Sequence, residues 1–250
     1  GRPTIAGTHL EGPFLGGAAG AHPKSQIVPI ELEWLRALPQ HIAVVTLGAE
    51  QPLAAQATAL LVGRGVLVSI GHTLAHEQQF DDVVAAGARL TTHLFNGMSG
   101  VHHRSPGVAV WALTNPDVCA SIIADGIHVH PRVIRLAFAA LGPDRAVLVT
   151  DAVAWRSGRV GEIGLTFRDG APRLPDGTLA GSAVTMDAAI RVCVDAGVAL
   201  STAVTAASTN PARLLGLQDR GRLEVGRRAD LVALTPTLEI EQVWLAGEPV

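Results

Sequence analysis

The segment Val66-Leu67-Val68-Ser69-Ile70-Gly71-His72-Thr73 carries the clearest indication of the fold class. Its first five residues form a short, nearly continuous apolar run. Such a run is typical of a strand covered on both faces, as in a parallel sheet wrapped by helices. The run stops at Gly71, and His72 follows at once. We therefore predict a buried parallel strand with a titratable side chain at its carboxyl end.

Similar apolar runs recur along the first 150 residues, and segments with helical spacing separate them. The predicted strands are 4–8, 42–47, 66–70, 89–92, 120–124 and 146–150, and the predicted helices are 31–38, 51–64, 75–86 and 133–141. Strands that alternate with helices are typical of an α/β domain with a parallel sheet.

The remainder of the chain has a different pattern. We predict a hairpin within 163–180, with strands 165–167 and 173–179 around Asp176-Gly177, because Asp-Gly favours tight turns. Two helices are predicted at 186–196 and 202–215, and strands at 229–234, 240–245 and 248–250. The chain thus divides into an α/β domain over 1–220 and a small β unit over 221–250.

Composition excludes several classes of protein. The 250 residues are 48% hydrophobic and carry a net charge of −3, so the chain has enough apolar residues for a core and no basic excess for nucleic acid. The apolar runs are too short to cross a membrane, and the N-terminus has no export signal, which predicts a cytoplasmic protein. Cys119 and Cys193 lie in apolar runs, which indicates buried thiols.

Five predicted strands end in a residue with metal-binding or acid–base chemistry. These ends are Thr8-His9-Leu10-Glu11, Gly71-His72-Thr73, Thr92-His93-Leu94-Phe95-Asn96, Asp125-Gly126-Ile127-His128 and Thr150-Asp151-Ala152. Because parallel barrel strands open onto one common mouth, these groups are expected to converge. Glu11, His72 and His93 together offer a carboxylate and two imidazoles, a set that suits a divalent metal with one open position.

Other chemistries receive less support. Lys24, the only lysine, lies among Gly, Pro and Ser, which disfavours Schiff-base chemistry, and no G-x-S-x-G frame supports a serine hydrolase. Residues 16–20, which are rich in glycine, are interpreted as a mobile loop rather than a phosphate cradle. Asp125 has the alternative role of capping its own loop.

Six motifs, in order along the chain, resemble those of N-acetylglucosamine-6-phosphate deacetylases of the amidohydrolase superfamily. They are His9-Leu10-Glu11-Gly12-Pro13-Phe14, Gly71-His72-Thr73, Thr92-His93-Leu94-Phe95-Asn96, Asp125-Gly126-Ile127-His128, Val149-Thr150-Asp151-Ala152 and Ala180-Gly181-Ser182. The segment Gly226-Arg227-Arg228-Ala229-Asp230-Leu231-Val232 also resembles the superfamily's closing strand.

The resemblance implies a (β/α)8 TIM-barrel hydrolase with one divalent ion. Glu11, His72 and His93 would be the metal ligands, with Zn²⁺ expected and Fe²⁺, Co²⁺ or Mn²⁺ as alternatives. Asp151 would take a proton from the attacking water and return it to the leaving amine.

The resemblance also implies a pocket for a phosphorylated amino sugar and a homodimer. The implied substrate-binding residues are His22, Asn96, Gly97, Arg104, His128, Leu179, Ala180 and Gly181. His22 would lie near the acetyl carbonyl, and Arg104, together with His128, would neutralise the phosphate.

Two departures from the family pattern matter. Relatives more often have Ala at the position of Gly97. They also carry a leading β segment and two βα units before the His9-Leu10-Glu11 strand, so we expect about six of eight barrel strands and only the last strands of a small β-sandwich. An incomplete barrel has two unpaired edges.

Three hypotheses follow. The first is deacetylation of N-acetylglucosamine 6-phosphate in amino-sugar catabolism or cell-wall recycling. The second is hydrolysis of another N-acyl substrate, and the third is an inactive, truncated relative.

Overall fold

Six parallel strands form the centre of the molecule. The computed structural model describes residues 4–250. The strands are β1 (Thr8–Glu11), β2 (Ile42–Leu47), β3 (Leu67–Ile70), β4 (Leu90–Thr91), β5 (Cys119–Ile123) and β6 (Ala146–Val149). Each pairs in parallel with its neighbours in sequence order, β1-β2-β3-β4-β5-β6. This half-barrel confirms the predicted incomplete (β/α)8 fold.

Helices connect the strands and cover the outside of the sheet. They are α1 (Leu32–Arg36), α2 (Ala54–Gly63), α3 (Glu77–Ala85), α4 (Gly107–Thr114), α5 (Pro131–Arg145), α6 (Met186–Asp195), α7 (Leu200–Ala207) and α8 (Thr209–Leu214). All the predicted helices are present, but the one predicted over 202–215 is in fact α7 and α8, which separate at Ser208. Helix α4 was not predicted.

The main core lies between the sheet and these helices. Phe80, Leu61, Ile122 and Ile134 are among its largest members, and none is exposed. Every residue of β5 is buried, as expected for a strand covered on both faces. Cys119 and Cys193 are buried free thiols, as predicted.

The interior face of the half-barrel contains a chain of hydroxyl groups. Oγ1 of Thr46 lies 2.7 Å from Oγ1 of Thr92, which lies 2.6 Å from Oγ of Ser69. The ring of His9 extends the chain, with Nε2 2.7 Å from the Thr46 hydroxyl. These contacts satisfy the three hydroxyl groups, which belong to buried residues of the sheet.

The insertion after β6 consists of short antiparallel pairs. They are β7 (Arg159–Val160) with β8 (Ile163–Gly164), and β9 (Thr166–Arg168) with β10 (Ala171–Arg173). The predicted turn at Asp176-Gly177 is present, and Arg173 pairs antiparallel with Leu179 across it. A second turn at Asp169-Gly170, which was not predicted, joins β9 to β10. Asp169 has a φ of 52° and Gly170 a φ of 80°, which suit a tight reversal.

The C-terminal residues form a separate three-stranded antiparallel sheet. It contains β11 (Leu231–Leu234), β12 (Ile240–Leu245) and β13 (Glu248–Pro249), in that order. No helix within residues 4–250 has the length and apolar character needed to span a bilayer.

Candidate metal centre and substrate cavity

Three predicted site residues leave their strands in a left-handed backbone conformation. The φ angles are 47° at His72, 32° at His93 and 49° at Asp151. Non-glycine residues adopt this region rarely, at a cost of about 1–3 kcal/mol each, and they concentrate at functional sites. The sharp turn at the end of each strand directs these side chains toward one mouth.

Glu11, His72 and His93 come together there, although they belong to three different strand ends. Nε2 of His93 lies 2.9 Å from Oε1 of Glu11, and Nε2 of His72 lies 3.2 Å from the same oxygen. The two imidazole nitrogens are 3.0 Å apart. Both histidine side chains are only 7% exposed, so water contributes little to their solvation.

Backbone carbonyl groups set the orientation of both imidazoles. Nδ1 of His72 lies 2.8 Å from the carbonyl oxygen of Ala18, and Nδ1 of His93 lies 3.2 Å from that of Asn96. A carbonyl oxygen only accepts, so each Nδ1 carries the proton and each Nε2 presents a lone pair. This arrangement is common for metal-binding histidines.

The donor set fits a divalent cation. Oε1 of Glu11 is buried without a hydrogen-bond donor among the described residues, and it faces two imidazole lone pairs. Burial disfavours ionisation of Glu11, but the hydrogen bond from His22 to its other oxygen leads the effects that outweigh burial and lower the pKa of this carboxyl strongly. Two lone pairs and an anionic oxygen about 3 Å apart repel one another unless a positive charge lies among them.

His22 also belongs to this cluster. Its Nε2 lies 3.3 Å from Oε2 of Glu11, and the ligand atoms of Glu11, His22 and His72 lie within 4.8 Å of one another. The His22 side chain is 32% exposed, far more than that of His72 or His93. His22 is therefore the imidazole of the cluster that is most accessible from the cavity.

A cavity of about 410 Å³ opens above the cluster. Its lining includes all but one of the predicted site residues, namely Glu11, His22, His72, His93, Asn96, Gly97, His128, Asp151, Leu179, Ala180 and Gly181. The opposite wall is apolar, with Val160, Ile163, Leu165 and Leu174 supplied by the insertion. The cavity therefore has one polar wall and one apolar wall.

Asp151 lies in this cavity and keeps contact with solvent. The protein around its carboxyl raises its pKa, chiefly through desolvation, and the negative charge of Glu11 acts in the same direction. The electrostatic influence of His93 and His128 opposes this rise. A carboxyl with a raised pKa is better suited to accept a proton during catalysis.

Asp125 fixes the position of His128. Nδ1 of His128 lies 2.7 Å from Oδ2 of Asp125, while Oδ1 accepts hydrogen bonds of 2.8 Å from the amides of Ile127 and His128. The side chains of His128 and Asp125 are 5% and 7% exposed. Asp125 thus caps its loop, as the alternative interpretation predicted, and also orients a cavity residue.

Gly97 packs directly against a predicted ligand. It has a φ of 57°, and a Cβ atom added there would lie 2.7 Å from Nδ1 of His72. The backbone is therefore closer to the imidazole than a larger residue permits without a shift of the ring.

Arg104 is the one predicted site residue that the structure does not bring to the cavity. It is exposed on the segment between β4 and α4, where its guanidinium contacts Nε2 of His103 at 2.9 Å. Its role in phosphate binding stays a prediction.

Two groups near the site were given no role in the sequence analysis. Glu50, just beyond β2, was not noticed, and His9, two residues before Glu11 on β1, was noted only as part of the first motif. Glu50 does not directly follow a predicted strand, because Gly48 and Ala49 separate it from the end of β2.

Comparison with known proteins gives consistent results. The profile of the amidohydrolase family matches residues 40–250. An N-acetylgalactosamine-6-phosphate deacetylase of Escherichia coli O157:H7 is 38% identical over 98% of this chain and 68% of its own length. The N-acetylglucosamine-6-phosphate deacetylase of Bacillus subtilis (strain 168) is 37% identical over 94% of this chain and 63% of its own length.

This chain also superimposes on solved structures of deacetylases. A mutant N-acetyl-D-glucosamine-6-phosphate deacetylase from Mycobacterium smegmatis, in complex with N-acetyl-D-glucosamine-6-phosphate, superimposes with a TM-score of 0.90 at 37% identity. The match covers 98% of this chain and 68% of that one. The Thermotoga maritima enzyme gives a TM-score of 0.91 at 31% identity, over 98% of this chain and 69% of that one. The chain spans about two thirds of the length of these relatives.

Proposed function

Because this chain belongs to the N-acetylglucosamine-6-phosphate deacetylases of the amidohydrolase family, we propose that it hydrolyses the acetamide of N-acetyl-D-glucosamine 6-phosphate to D-glucosamine 6-phosphate and acetate. The observation that carries the proposal is the convergence of Glu11, His72, His93 and Asp151 on one cavity. Amide hydrolysis requires an activated water, a polarised carbonyl and a proton for the leaving amine.

Glu11, His72 and His93 are the proposed ligands of a single divalent ion, with Zn²⁺ the expected metal. Their buried lone pairs and the donor-deficient Oε1 support this choice. A divalent ion at such a centre lowers the pKa of water and polarises a carbonyl oxygen. His22 is assigned to the substrate side because its ring is more exposed and contacts the other carboxylate oxygen.

Asp151 is the proposed general base and acid. Its carboxylate takes the proton from the attacking water and later delivers it to the amine of the glucosamine. The raised pKa strengthens the Asp151 carboxylate as the base that takes the proton from water.

The sugar is proposed to bind along the polar wall, against Asn96, Gly97 and His128, with Leu179–Gly181 at its other side. His128 can donate to the substrate phosphate through Nε2 when its ring is protonated, because the imidazolium carries a hydrogen on both nitrogens and Nδ1 keeps its bond to Asp125. Arg104 is the second proposed phosphate ligand. Since it lies outside the cavity lining, the proposed homodimer would bring it to the substrate of the other subunit.

The test is release of acetate from N-acetylglucosamine 6-phosphate by protein loaded with Zn²⁺. Asp151→Asn removes the base while keeping the shape of the side chain, and a loss of about 10²- to 10⁴-fold in kcat is expected. Asp195→Asn, on the exposed end of α6, is the matched control and should retain the parent rate. Folded, metal-loaded protein that releases no acetate would refute the proposal.

N-acetylgalactosamine 6-phosphate is the second candidate substrate. It differs from the first only in the configuration of one hydroxyl, and a relative that is 38% identical carries that name. The same assay with both sugars, and with N-acetylglucosamine lacking the phosphate, separates the two and tests the alternative of a non-phosphorylated N-acyl substrate. The preferred substrate is the one with the highest kcat/KM.

A further inference from the structure

Glu50 joins two loops that surround the candidate metal centre. Oε1 accepts hydrogen bonds of 2.7 Å from the backbone amides of both Gly17 and Leu74. Oε2 accepts a hydrogen bond from the hydroxyl of Thr73, which in turn accepts from the amides of Ala49 and Ala75 at 3.2 Å. One carboxylate therefore holds the loop after β1 against the loop after β3.

Both loops carry groups that face the metal centre. The loop after β3 contains His72. The loop after β1 contains His22 and Ala18, whose carbonyl accepts from Nδ1 of His72. A further hydrogen bond of 2.7 Å joins the amide of Gly16 to the carbonyl of His72. The orientation of His72 thus depends on the same contact between loops that Glu50 maintains.

The surrounding glycines leave room for this carboxylate and for the close approach of the loops. A Cβ atom added at Gly16 would lie 2.0 Å from Oε1 of Glu50, and one added at Gly48 would lie 2.4 Å from the amide nitrogen of Gly16. Real Cβ atoms do not approach other atoms so closely, so neither position accepts a side chain without displacement. Residues 16–18 of the glycine-rich segment are thus hydrogen-bonded to Glu50 and to His72, while the mobility of 16–20 stays a prediction.

We propose that Glu50 is a positioning residue for the metal centre: it fixes the loop after β1 so that Ala18 orients His72 and His22 stays beside Glu11. Glu50 does not contact the reacting atoms. The proposal deepens the proposed function and rests on the metal centre described there. Partners that orient metal ligands typically change metal affinity by about 10- to 100-fold when they are removed.

The experiment measures the dissociation constant for Zn²⁺ by competition with a chelator, without any substrate. Glu50→Ala is expected to weaken Zn²⁺ binding by about 10- to 100-fold. Glu50→Gln should lose less, because its amide oxygen still accepts from the amides of Gly17 and Leu74. Glu241→Gln, on the exposed face of β12, is the matched control and should bind Zn²⁺ as the parent does.

Two further measurements distinguish positioning from a general loss of structure. Gly16→Ala leaves Glu50 in the chain but displaces its carboxylate, so it should reproduce the weaker binding. In metal-free protein, hydrogen exchange should accelerate in residues 12–22 and 72–76 of Glu50→Ala and remain at the parent rate in β5. The visible spectrum of the Co²⁺-substituted variant should also differ from that of the parent.

Parent-like Zn²⁺ affinity and an unchanged Co²⁺ spectrum in Glu50→Ala would overturn the positioning role. Exchange that accelerates equally in β5 would also overturn it, because the effect would then be a loss of the whole fold. The Zn²⁺ affinity of Glu50→Ala tests the positioning role without using the proposed reaction. A parent protein that binds Zn²⁺ but releases no acetate refutes the deacetylase function, and the affinity measurement still decides the role of Glu50.

Discussion

Asp125→Asn isolates the contribution of one ionic hydrogen bond next to the cavity. The asparagine oxygen can still accept from the amides of Ile127 and His128, so the loop cap is retained. Only the 2.7 Å contact between the carboxylate and Nδ1 of His128 changes, because the new NH₂ group faces a ring nitrogen that had donated. The imidazole must then move its proton to Nε2.

The size of the stability loss follows from the burial of Asp125 and His128. Side chains that are 5% and 7% exposed are little screened by solvent, so a charged hydrogen bond worth about 1.5–3 kcal/mol becomes a neutral one worth about 0.5–1.5 kcal/mol. The free energy of unfolding should fall by about 1–2 kcal/mol. In a chain of this size Tm should fall by roughly 2–8 °C.

The stabilisation by Asp125 should depend on pH, and the pKa of this carboxyl gives the direction of the change. Burial opposes ionisation of Asp125, but His128 and the two amides outweigh it and hold the pKa of this carboxyl below 3.8, the value of an unperturbed aspartate. The stabilisation is therefore present above pH 3.8 and is lost as the pH falls through the lower folded-state pKa. Urea unfolding of parent and variant measures both effects. A variant as stable as the parent at pH 7, or a stability gap that persists unchanged below the folded-state pKa, would refute this reasoning.

Three other predictions concern the base, a buried thiol and the core. Because desolvation by the surrounding protein raises the pKa of Asp151 above 3.8, kcat should decline as the pH falls through the raised value, whereas a profile that stays flat below pH 3.8 would exclude an Asp151 base. Burial raises the pKa of Cys193 to about 12, so only about 1 in 10⁴ of these thiols is ionised at pH 8, and Ellman's reagent should titrate the thiol only in denaturant. Ile122→Ala should lower the free energy of unfolding by about 2–5 kcal/mol, and Ile5→Ala, at a side chain that is 86% exposed, by less than about 0.5 kcal/mol, as measured by chemical unfolding.

The α/β architecture was predictable because its strands are buried on both faces. Continuous apolar runs located β2 without error and the other interior strands to within two residues. The first strand was placed at 4–8 but lies at Thr8–Glu11, because His9 and Glu11 are strand residues that face the site. Apolar periodicity cannot identify a strand whose inward side chains are polar for chemical reasons.

Helix α4 was missed because it has too few polar residues to show a helical period. Its sequence, Gly107-Val108-Ala109-Val110-Trp111-Ala112-Leu113-Thr114, is apolar on nearly every side, so no helical period stands out. In the insertion, the turn at Asp176-Gly177 was predicted and the turn at Asp169-Gly170 was missed, although both dipeptides favour tight turns.

The candidate site was largely predictable from residues at strand ends, since one mouth collects them all. The contacts that orient those residues were not. Ala18 and Glu50 act on His72 through hydrogen bonds across loops, and nothing in the residue types of those loops reveals such contacts. The location of Arg104 depends in the same way on the path of an exposed loop rather than on residue type.

The left-handed conformations at His72 and His93 have a consequence for protein engineering. At such angles glycine or asparagine relieves backbone strain, so either residue is locally favoured over histidine. A library screened only for heat resistance would therefore be enriched in replacements at the proposed ligands, and survival at high temperature would be gained as metal binding is lost. Thermostabilisation of this protein should hold both codons fixed or impose a simultaneous requirement for turnover.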